Sequence, residues 1–154
     1  MKKSAITIFL LLFILSGCSS GKKMSSTGIV SGKDTVAILY KESKFKDAVL
    51  EKVETYLKEK KIRFVADNVK NSKKYKASDY LAVIYMAEFW AWHTPAHTKR
   101  YFSRNDNASN IIFLITSGNP DVRIKKPFDA VTSASKQSGV EKVSSEIIRR
   151  IESF

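Results

Sequence analysis

Seven residues in the middle of the chain, Tyr80-Leu-Ala-Val-Ile-Tyr-Met86, form an apolar run without polar alternation. Two runs of the same kind occur at Thr35–Tyr40 and Ile111–Thr116. A strand with one face in water alternates apolar and polar residues, whereas a strand covered on both faces is apolar throughout. The three runs therefore predict the central strands of a sheet that is covered on both faces.

A helical pattern follows the first of these strands. Its apolar residues recur three and four positions apart, which predicts one buried face. Ser43 precedes the pattern and is a suitable N-cap. The buried face is predicted to comprise Phe45, Ala48, Val49, Val53, Tyr56 and Leu57, and the solvent face Lys46, Glu51, Glu54 and Lys58.

The rest of the folded region continues the alternation of strand and helix. Ile62–Val65 predicts a second, shorter strand, and the connection to the third strand has room for only a turn or two of helix. Thr94 followed by Pro95 predicts a helix start. Phe128–Thr132 predicts a short fifth strand, and Ser138–Glu141 a capping box before the last helix. This alternation indicates an α/β domain with a parallel sheet.

The composition limits the class of protein. The chain has 154 residues, 44% of them hydrophobic, which suits one domain with a core and excludes wholesale disorder. A single cysteine excludes a disulfide scaffold. The 27 Lys and Arg residues against 15 Asp and Glu residues give a formal net charge of +12. No base-stacking motif accompanies this charge, so we expect no nucleic-acid partner.

The first eighteen residues resemble the export signal of a bacterial lipoprotein. Lysines at positions 2 and 3 precede an apolar run, Ala5–Leu15, which is shorter than the roughly 20 residues that span a bilayer. Leu15-Ser-Gly-Cys18 resembles the lipobox, where the cysteine is lipidated and the chain is cut just before it. The resemblance implies a lipoprotein signal peptide over residues 1–17 and a membrane anchor of acyl chains, such as palmitate, on Cys18.

The residues after the lipobox predict where the anchored protein works. Residues 18–33 comprise the lipidated cysteine and a Gly- and Ser-rich stretch, which predicts a flexible tether to a folded domain over residues 34–154. The residue after the cysteine, Ser19, is not aspartate. By the same resemblance, this favours the outer membrane, at its periplasmic face or at the cell surface, if the bacterium has two membranes.

Lysines are frequent in the second quarter of the chain. A solvated surface accounts for most of them. They would also favour an anionic membrane surface or other anionic components of the cell envelope as a partner. The lysines concerned are Lys58, Lys60, Lys61, Lys70, Lys73, Lys74 and Lys76.

The order of elements from Thr35 to Phe154 resembles the flavodoxin-like fold. The most specific stretch is Asp79–Ala96, where a strand of the type D-Y-x-A-V-I is followed by an aromatic loop and a helix that starts with proline. Asn110–Gly118 resembles the family's fourth strand and loop, and Phe128–Ser135 its last strand. The resemblance implies a three-layer domain with four or five parallel strands in the order 2-1-3-4-5.

The loop after the first strand departs from the family. Flavodoxins hold the phosphate of flavin mononucleotide (FMN) in a hydroxyl- and glycine-rich turn at this helix start. Here the loop Lys41–Phe45 has no glycine, and Ser43 is its only hydroxyl. Glu42 places an anion near the expected phosphate, which Lys41 and Lys44 partly offset. We therefore expect a reduced fold, with trimmed second and fourth crossovers, that lacks the usual FMN site.

A candidate ligand cleft is predicted beyond the carboxyl ends of strands one and three, where the strand order reverses. Tryptophan rings in one of its loops would stack on a flavin or another planar ligand. Alternatively, they cover the end of the sheet where a crossover helix is missing. The predicted cleft residues are Ser43, Glu88, Trp90, Trp92, His93 and Asn119.

Two histidines, His93 and His97, have the spacing of metal ligands on a helix. Thr94, the predicted helix start, lies between them, so the two rings need not share a face. A third ligand is also required, and only Glu88 is near in sequence. We therefore expect no metal site.

A second motif concerns flavin attachment. Asp129-Ala-Val-Thr-Ser-Ala-Ser135 resembles the D-x-x-[ST]-G-A-[ST] motif on which a bacterial flavin transferase attaches FMN through the last hydroxyl, here Ser135. Ser133 stands where the motif has glycine, which favours an ordinary turn between strand and helix.

These patterns favour a binding or accessory role in the cell envelope over an enzyme. No Ser-His-Asp or Cys-His arrangement is recognisable, so no catalytic residue is predicted. The alternative is a redox or electron-transfer protein that binds FMN in the aromatic cleft or carries it on Ser135.

Overall fold

A computed structural model describes residues 31–88, 94–117 and 130–154. These residues form five strands and three α-helices. The strands are β1 (Gly32–Tyr40), β2 (Arg63–Asn68), β3 (Tyr80–Glu88), β4 (Ile111–Ser117) and β5 (Ala130–Ala134), and the helices are α1 (Lys44–Glu59), α2 (Ala96–Arg104) and α3 (Val140–Ile151). The predicted signal peptide, Cys18 and most of the predicted tether lie outside the described residues.

The five strands form one parallel sheet in the order β2-β1-β3-β4-β5. In the centre of the sheet, Ile38 of β1 pairs with Ile84 of β3, and Tyr85 of β3 pairs with Phe113 of β4. The predicted α/β class, the parallel pairing and the strand order are therefore confirmed.

The apolar runs are explained by burial on both faces of the sheet. Val36, Ile38 and Ile84 pack in one core layer with α1 and α3. Their alternate neighbours, such as Leu39 and Tyr85, pack in a second layer with α2 and the connection from β2 to β3. Successive side chains of a strand point to opposite faces, so every side chain of a strand between two layers is buried and an alternation with polar residues is disfavoured. The domain thus has three layers.

The second crossover, from β2 to β3, is trimmed as predicted. It contains two 3₁₀ turns, Val69–Lys74 and Ala77–Asp79, in place of an α-helix. The fourth crossover, over residues 118–129, lies outside the described residues. Among the helices of the described residues, none has the length and apolar character needed to cross a membrane.

Two predicted helix starts are wrong in detail. Helix α2 begins at Ala96, and Pro95 occupies the N-cap position with an extended ψ of 143°, so Thr94 lies one residue too early to cap it. Before α3, the residues Gln137–Gly139 form a 3₁₀ turn. Gly139 is the N-cap residue, and no side chain caps α3, because this turn replaces the predicted capping box. Of the predicted fifth strand, Phe128 and Asp129 lie outside the described residues, and β5 is described from Ala130.

Candidate functional site

The candidate site lies beyond the carboxyl ends of β1 and β3, the two central strands. Helix α1, which follows β1, packs with α3 on one face of the sheet. Helix α2, which follows β3, packs with the 3₁₀ turns on the other face. A crevice forms where successive connections leave a parallel sheet on opposite sides, and this is where ligands bind in such folds.

A buried ion pair occupies this end of the sheet. The Nζ atom of Lys46, in the first turn of α1, lies 2.7 Å from Oε1 of Glu88, the last residue of β3. The Lys46 side chain is 1% exposed and that of Glu88 is 26% exposed. The more exposed Lys41 amine lies 3.5 Å from Oε2 of Glu88. One carboxylate thus bridges two lysines.

Burial determines the electrostatics of Lys46. Removal of its ammonium group from water lowers the pKa of Lys46 below its ordinary value, and the hydrogen bond and charge of Glu88 oppose this shift. The sequence pattern assigned Lys46 to the solvent face of α1, which is wrong, as it is for Glu54, whose relative exposure is 8%. The apolar stem of a lysine can be buried beside a carboxylate that satisfies its amine. The position of Glu88 at the end of a buried strand was the available signal for such a partner.

Ser43 caps α1, as predicted. Its backbone is extended, with φ of −164° and ψ of 151°, and its side-chain oxygen accepts a hydrogen bond of 3.3 Å from the backbone N–H of Lys46. Asp47 lies in the first turn of the helix. A side-chain cap satisfies one of the backbone N–H groups that a helix start would otherwise offer to a ligand.

These groups border an open cleft of about 490 Å³. Two predicted cleft residues, Ser43 and Glu88, line it. Ser135, singled out separately for flavin attachment, lines the same cleft. The other lining residues are Lys41, Lys44, Phe45, Thr116 and Ser117. Within the described residues, the cleft therefore combines hydroxyls, amines, a carboxylate and an aromatic ring, a set suited to a polar ligand with an apolar part.

Four predicted cleft residues, Trp90, Trp92, His93 and Asn119, lie outside the described residues. Whether the tryptophans stack on a planar ligand or cover the end of the sheet therefore stays open as two predictions. No group of three or more His, Cys, Asp or Glu side chains within residues 31–88, 94–117 and 130–154 is placed to hold a metal ion. His97 lies in α2, where burial, together with the charges of Arg100 and Lys70, lowers its pKa.

Thr116 fixes the rim of the cleft. Its side chain is buried, and its hydroxyl donates a hydrogen bond of 3.3 Å to the backbone oxygen of Ala87 on the neighbouring strand β3. The bond lies one residue before Glu88, so it helps to hold the end of β3 where the carboxylate meets Lys46. The sequence pattern treated Thr116 only as the end of a strand, and no local signal marked this contact.

Comparison with known proteins identifies the fold. No protein-family model matches the chain, and a comparison with curated proteins finds no match. Among solved structures, oxidised flavodoxin 2 from Bacillus cereus is similar, with a TM-score of 0.54 and 12% identity over 79% of this chain and 99% of that one. A flavodoxin from the domain Archaea has a TM-score of 0.52 and 9% identity over 77% of this chain and 97% of that one. Together with the strand order 2-1-3-4-5, these similarities establish that the chain has a flavodoxin-like α/β fold.

Proposed function

We propose that this protein is a membrane-anchored bacterial lipoprotein whose flavodoxin-like domain has a non-catalytic binding or accessory role in the cell envelope. The anchor is supported by the lipobox Leu15–Cys18 behind a basic start and a short apolar run. Two or three acyl chains bind a membrane far more firmly than one.

The ion pair between Lys46 and Glu88 is the observation that supports a role other than FMN redox chemistry. In a flavodoxin-like fold, the start of α1 is the expected place for the phosphate of FMN. Here the Ser43 oxygen already accepts the N–H of Lys46, and the buried Lys46 amine is engaged by a carboxylate. One backbone N–H group of the helix start and the buried amine beside it are therefore already engaged by the protein itself.

Charge adds to this argument. A phosphate in the cleft would approach the partly exposed carboxylate of Glu88, and the exposed Glu42 lies in the same loop. Each anion raises the free energy of a bound phosphate, while Lys41 is already paired with Glu88. Lys44 is the one exposed lysine of the loop that forms no ion pair with an acid of the described residues. One such cation does not outweigh two carboxylates, so we infer that the loop does not fit FMN held in the flavodoxin manner.

An absorbance spectrum and a titration test this proposal. The protein is purified from its native host, and its absorbance spectrum is recorded from roughly 350 to 500 nm, the range in which oxidised flavins absorb. We expect no stoichiometric flavin absorbance, and no quenching when FMN is added at micromolar concentration. A flavodoxin treated in parallel serves as the positive control. Copurified FMN at one equivalent, or tight binding in the titration, would overturn the non-flavin role.

A flavin-binding redox function is the second candidate, because Ser135 borders the same cleft as Ser43 and Ser117. Covalent flavin on Ser135 would then occupy the candidate site. Intact mass measurement of protein from the native host decides this. A flavin-sized mass increment that is lost in Ser135→Ala but kept in Ser138→Ala would establish attachment, whereas the unmodified mass would exclude it.

The anchor has its own test. We expect Cys18→Ser to abolish incorporation of labelled palmitate and to release the protein from the membrane fraction, because the chain has no other cysteine. Ser19→Ala is the matched control and keeps the label. In a double-membraned host, Ser19→Asp is expected to move the protein from the outer to the inner membrane. Retention of Cys18→Ser in washed membranes would refute the anchor.

A further inference from the structure

The two helical faces of the domain differ in charge. On the face formed by α1 and α3, lysines and arginines are matched by acids, and ion pairs join Lys52 to Glu141 and Arg149 to Glu146. On the other face, the segment Val69–Ser78 and helix α2 together contain seven lysines and arginines and no acid. We call these seven residues the basic face: Lys70, Lys73, Lys74, Lys76, Lys99, Arg100 and Arg104.

The basic face is one continuous surface. The Nη1 atom of Arg104 donates a hydrogen bond of 3.3 Å to the backbone oxygen of Lys73, which joins the end of α2 to the crossover. Nearer the start of α2, burial lowers the pKa of His97, and the charges of Arg100 and Lys70 lower it further, so cations of both segments act on one ring. All seven side chains are exposed, and none forms an ion pair with an acid of the described residues.

The acids bordering the basic face are few. Asp67 is engaged by hydrogen bonds from Asn71 and from the hydroxyl of Tyr75. Asp79 and Asp106 are exposed at its edges. Lys74 acts on Asp67 through its charge without forming an ion pair. Among the described residues, three carboxylates against seven cations leave a positive surface.

The chain enters the domain beside the basic face. Gly32, the first residue of β1, pairs with Tyr80, the first residue of β3. Neighbouring strands lie about 4.8 Å apart, so the entry point is adjacent to the end of the crossover. Lys33 lines one groove of about 530 Å³ together with Lys76 and Arg104 of the basic face. The candidate cleft lies at the opposite, carboxyl end of the same strands.

We propose that the basic face docks on an anionic lipid bilayer, namely the membrane in which the chain is anchored. This inference rests on the proposed anchor at Cys18. A Gly- and Ser-rich chain of the length from Cys18 to Gly32 has a root-mean-square extension of about 20 Å, so the domain is held close to the bilayer surface. At that distance, clustered lysines and arginines are attracted to anionic headgroups once they come within a Debye length of about 8 Å.

The single cysteine allows the docking to be tested without cellular lipidation. The chain from Cys18 onward is coupled through its thiol to maleimide lipid in vesicles of phosphatidylcholine, with or without phosphatidylglycerol. Surface amines are then acetylated with a membrane-impermeant reagent and quantified by mass spectrometry. Lys52 and Lys142, on the opposite face, are internal controls. Because the tether is supplied chemically, a failed anchor and a failed docking give different results.

On vesicles with phosphatidylglycerol, we expect the reactivity of Lys70, Lys73, Lys74 and Lys99 to fall at least threefold relative to phosphatidylcholine, and the controls to stay unchanged. At 1 M NaCl, where the Debye length is about 3 Å, the protection should disappear. The combined variant Lys73→Gln, Lys74→Gln, Lys99→Gln should also remove the protection of Lys70, whereas Lys52→Gln, Lys142→Gln should keep it. Equal reactivity on both vesicles would overturn the proposal, as would protection by soluble dextran sulfate but not by vesicles.

Discussion

Lys46 and Glu88 are 42 positions apart in the sequence, yet the Nζ atom of one lies 2.7 Å from Oε1 of the other. The contact ties the first turn of α1 to the end of β3, at the crevice where this fold offers a ligand site. Lys46 is sealed from solvent, whereas Glu88 is in contact with water and with Lys41. The two partners therefore differ in how much each depends on the other.

Removal of the Glu88 charge should lower the free energy of unfolding more than removal of the Lys46 charge. In Glu88→Gln, the Lys46 ammonium stays buried without a counter-charge, and we expect the free energy of unfolding to fall by about 2 kcal/mol. In Lys46→Met, a similar volume is filled by an apolar chain and Glu88 keeps both Lys41 and water, so the loss should stay below about 1 kcal/mol. Urea unfolding at pH 7 measures both. A larger loss in Lys46→Met would contradict this order of dependence.

The strands of the sheet were predictable because each is marked by a pattern within a short segment of the sequence. The apolar runs Thr35–Tyr40, Tyr80–Met86 and Ile111–Thr116 correspond to strands buried on both faces, and such strands require apolar residues at every position. Ser43 was also predictable, since a cap acts on the next turn of its own chain. The strand order came from resemblance, and the pairing of the strands confirms it.

The site was less predictable because its contacts are not local. The helical pattern places Lys46 among polar residues, and only the proximity of β3 in three dimensions makes that position buried. The starts of α2 and α3 were misplaced because proline and a 3₁₀ turn take the cap positions, and sequence alone does not distinguish a proline just before a helix from one just inside it. Thr116 and Ser135 meet Glu88 at the cleft through the pairing of β3, β4 and β5.

Tyr101→Phe should stabilise the protein. Its ring stacks on Tyr85 at 4.8 Å between centroids, while its buried hydroxyl finds no hydrogen-bond partner among the described residues. Removal of an unsatisfied buried hydroxyl should raise the free energy of unfolding by about 1 kcal/mol. Tyr85→Phe is the matched comparison: its hydroxyl donates to Thr98 at 3.2 Å, so the same substitution should cost about 1 kcal/mol. Thermal unfolding midpoints that move in the same direction would refute the assignment.

Glu146 should contribute stability that depends on pH. Hydrogen bonds from Arg149 and Arg150 lower its pKa from 4.5 to about 2. A carboxyl group whose pKa is lower in the folded state stabilises the fold above its unfolded pKa, and this contribution is lost as the pH falls from about 4.5 to about 2. Because the side chain is 31% exposed, solvent screening limits the effect to about 1 kcal/mol. In urea unfolding, Glu146→Gln should be less stable than the parent protein at pH 7, and the difference should shrink by pH 3; a gap independent of pH would contradict this.

His97 reports on the charge of the basic face. Burial lowers its pKa first, and the charges of Arg100 and Lys70 lower it further. Arg100→Gln removes one of these charges, so the pKa of His97 should rise towards 6.5, whereas Lys142→Gln on the opposite face should leave it unchanged. Since the folded state binds the proton less readily than the unfolded state, stability should decline as the pH falls from 6.5 through the folded pKa, and less steeply in Arg100→Gln. Nuclear magnetic resonance of the His97 ring, assigned with His93→Gln because the chain has two histidines, measures the pKa. An unchanged or lower pKa in Arg100→Gln would mean that the cations of α2 do not act on this ring.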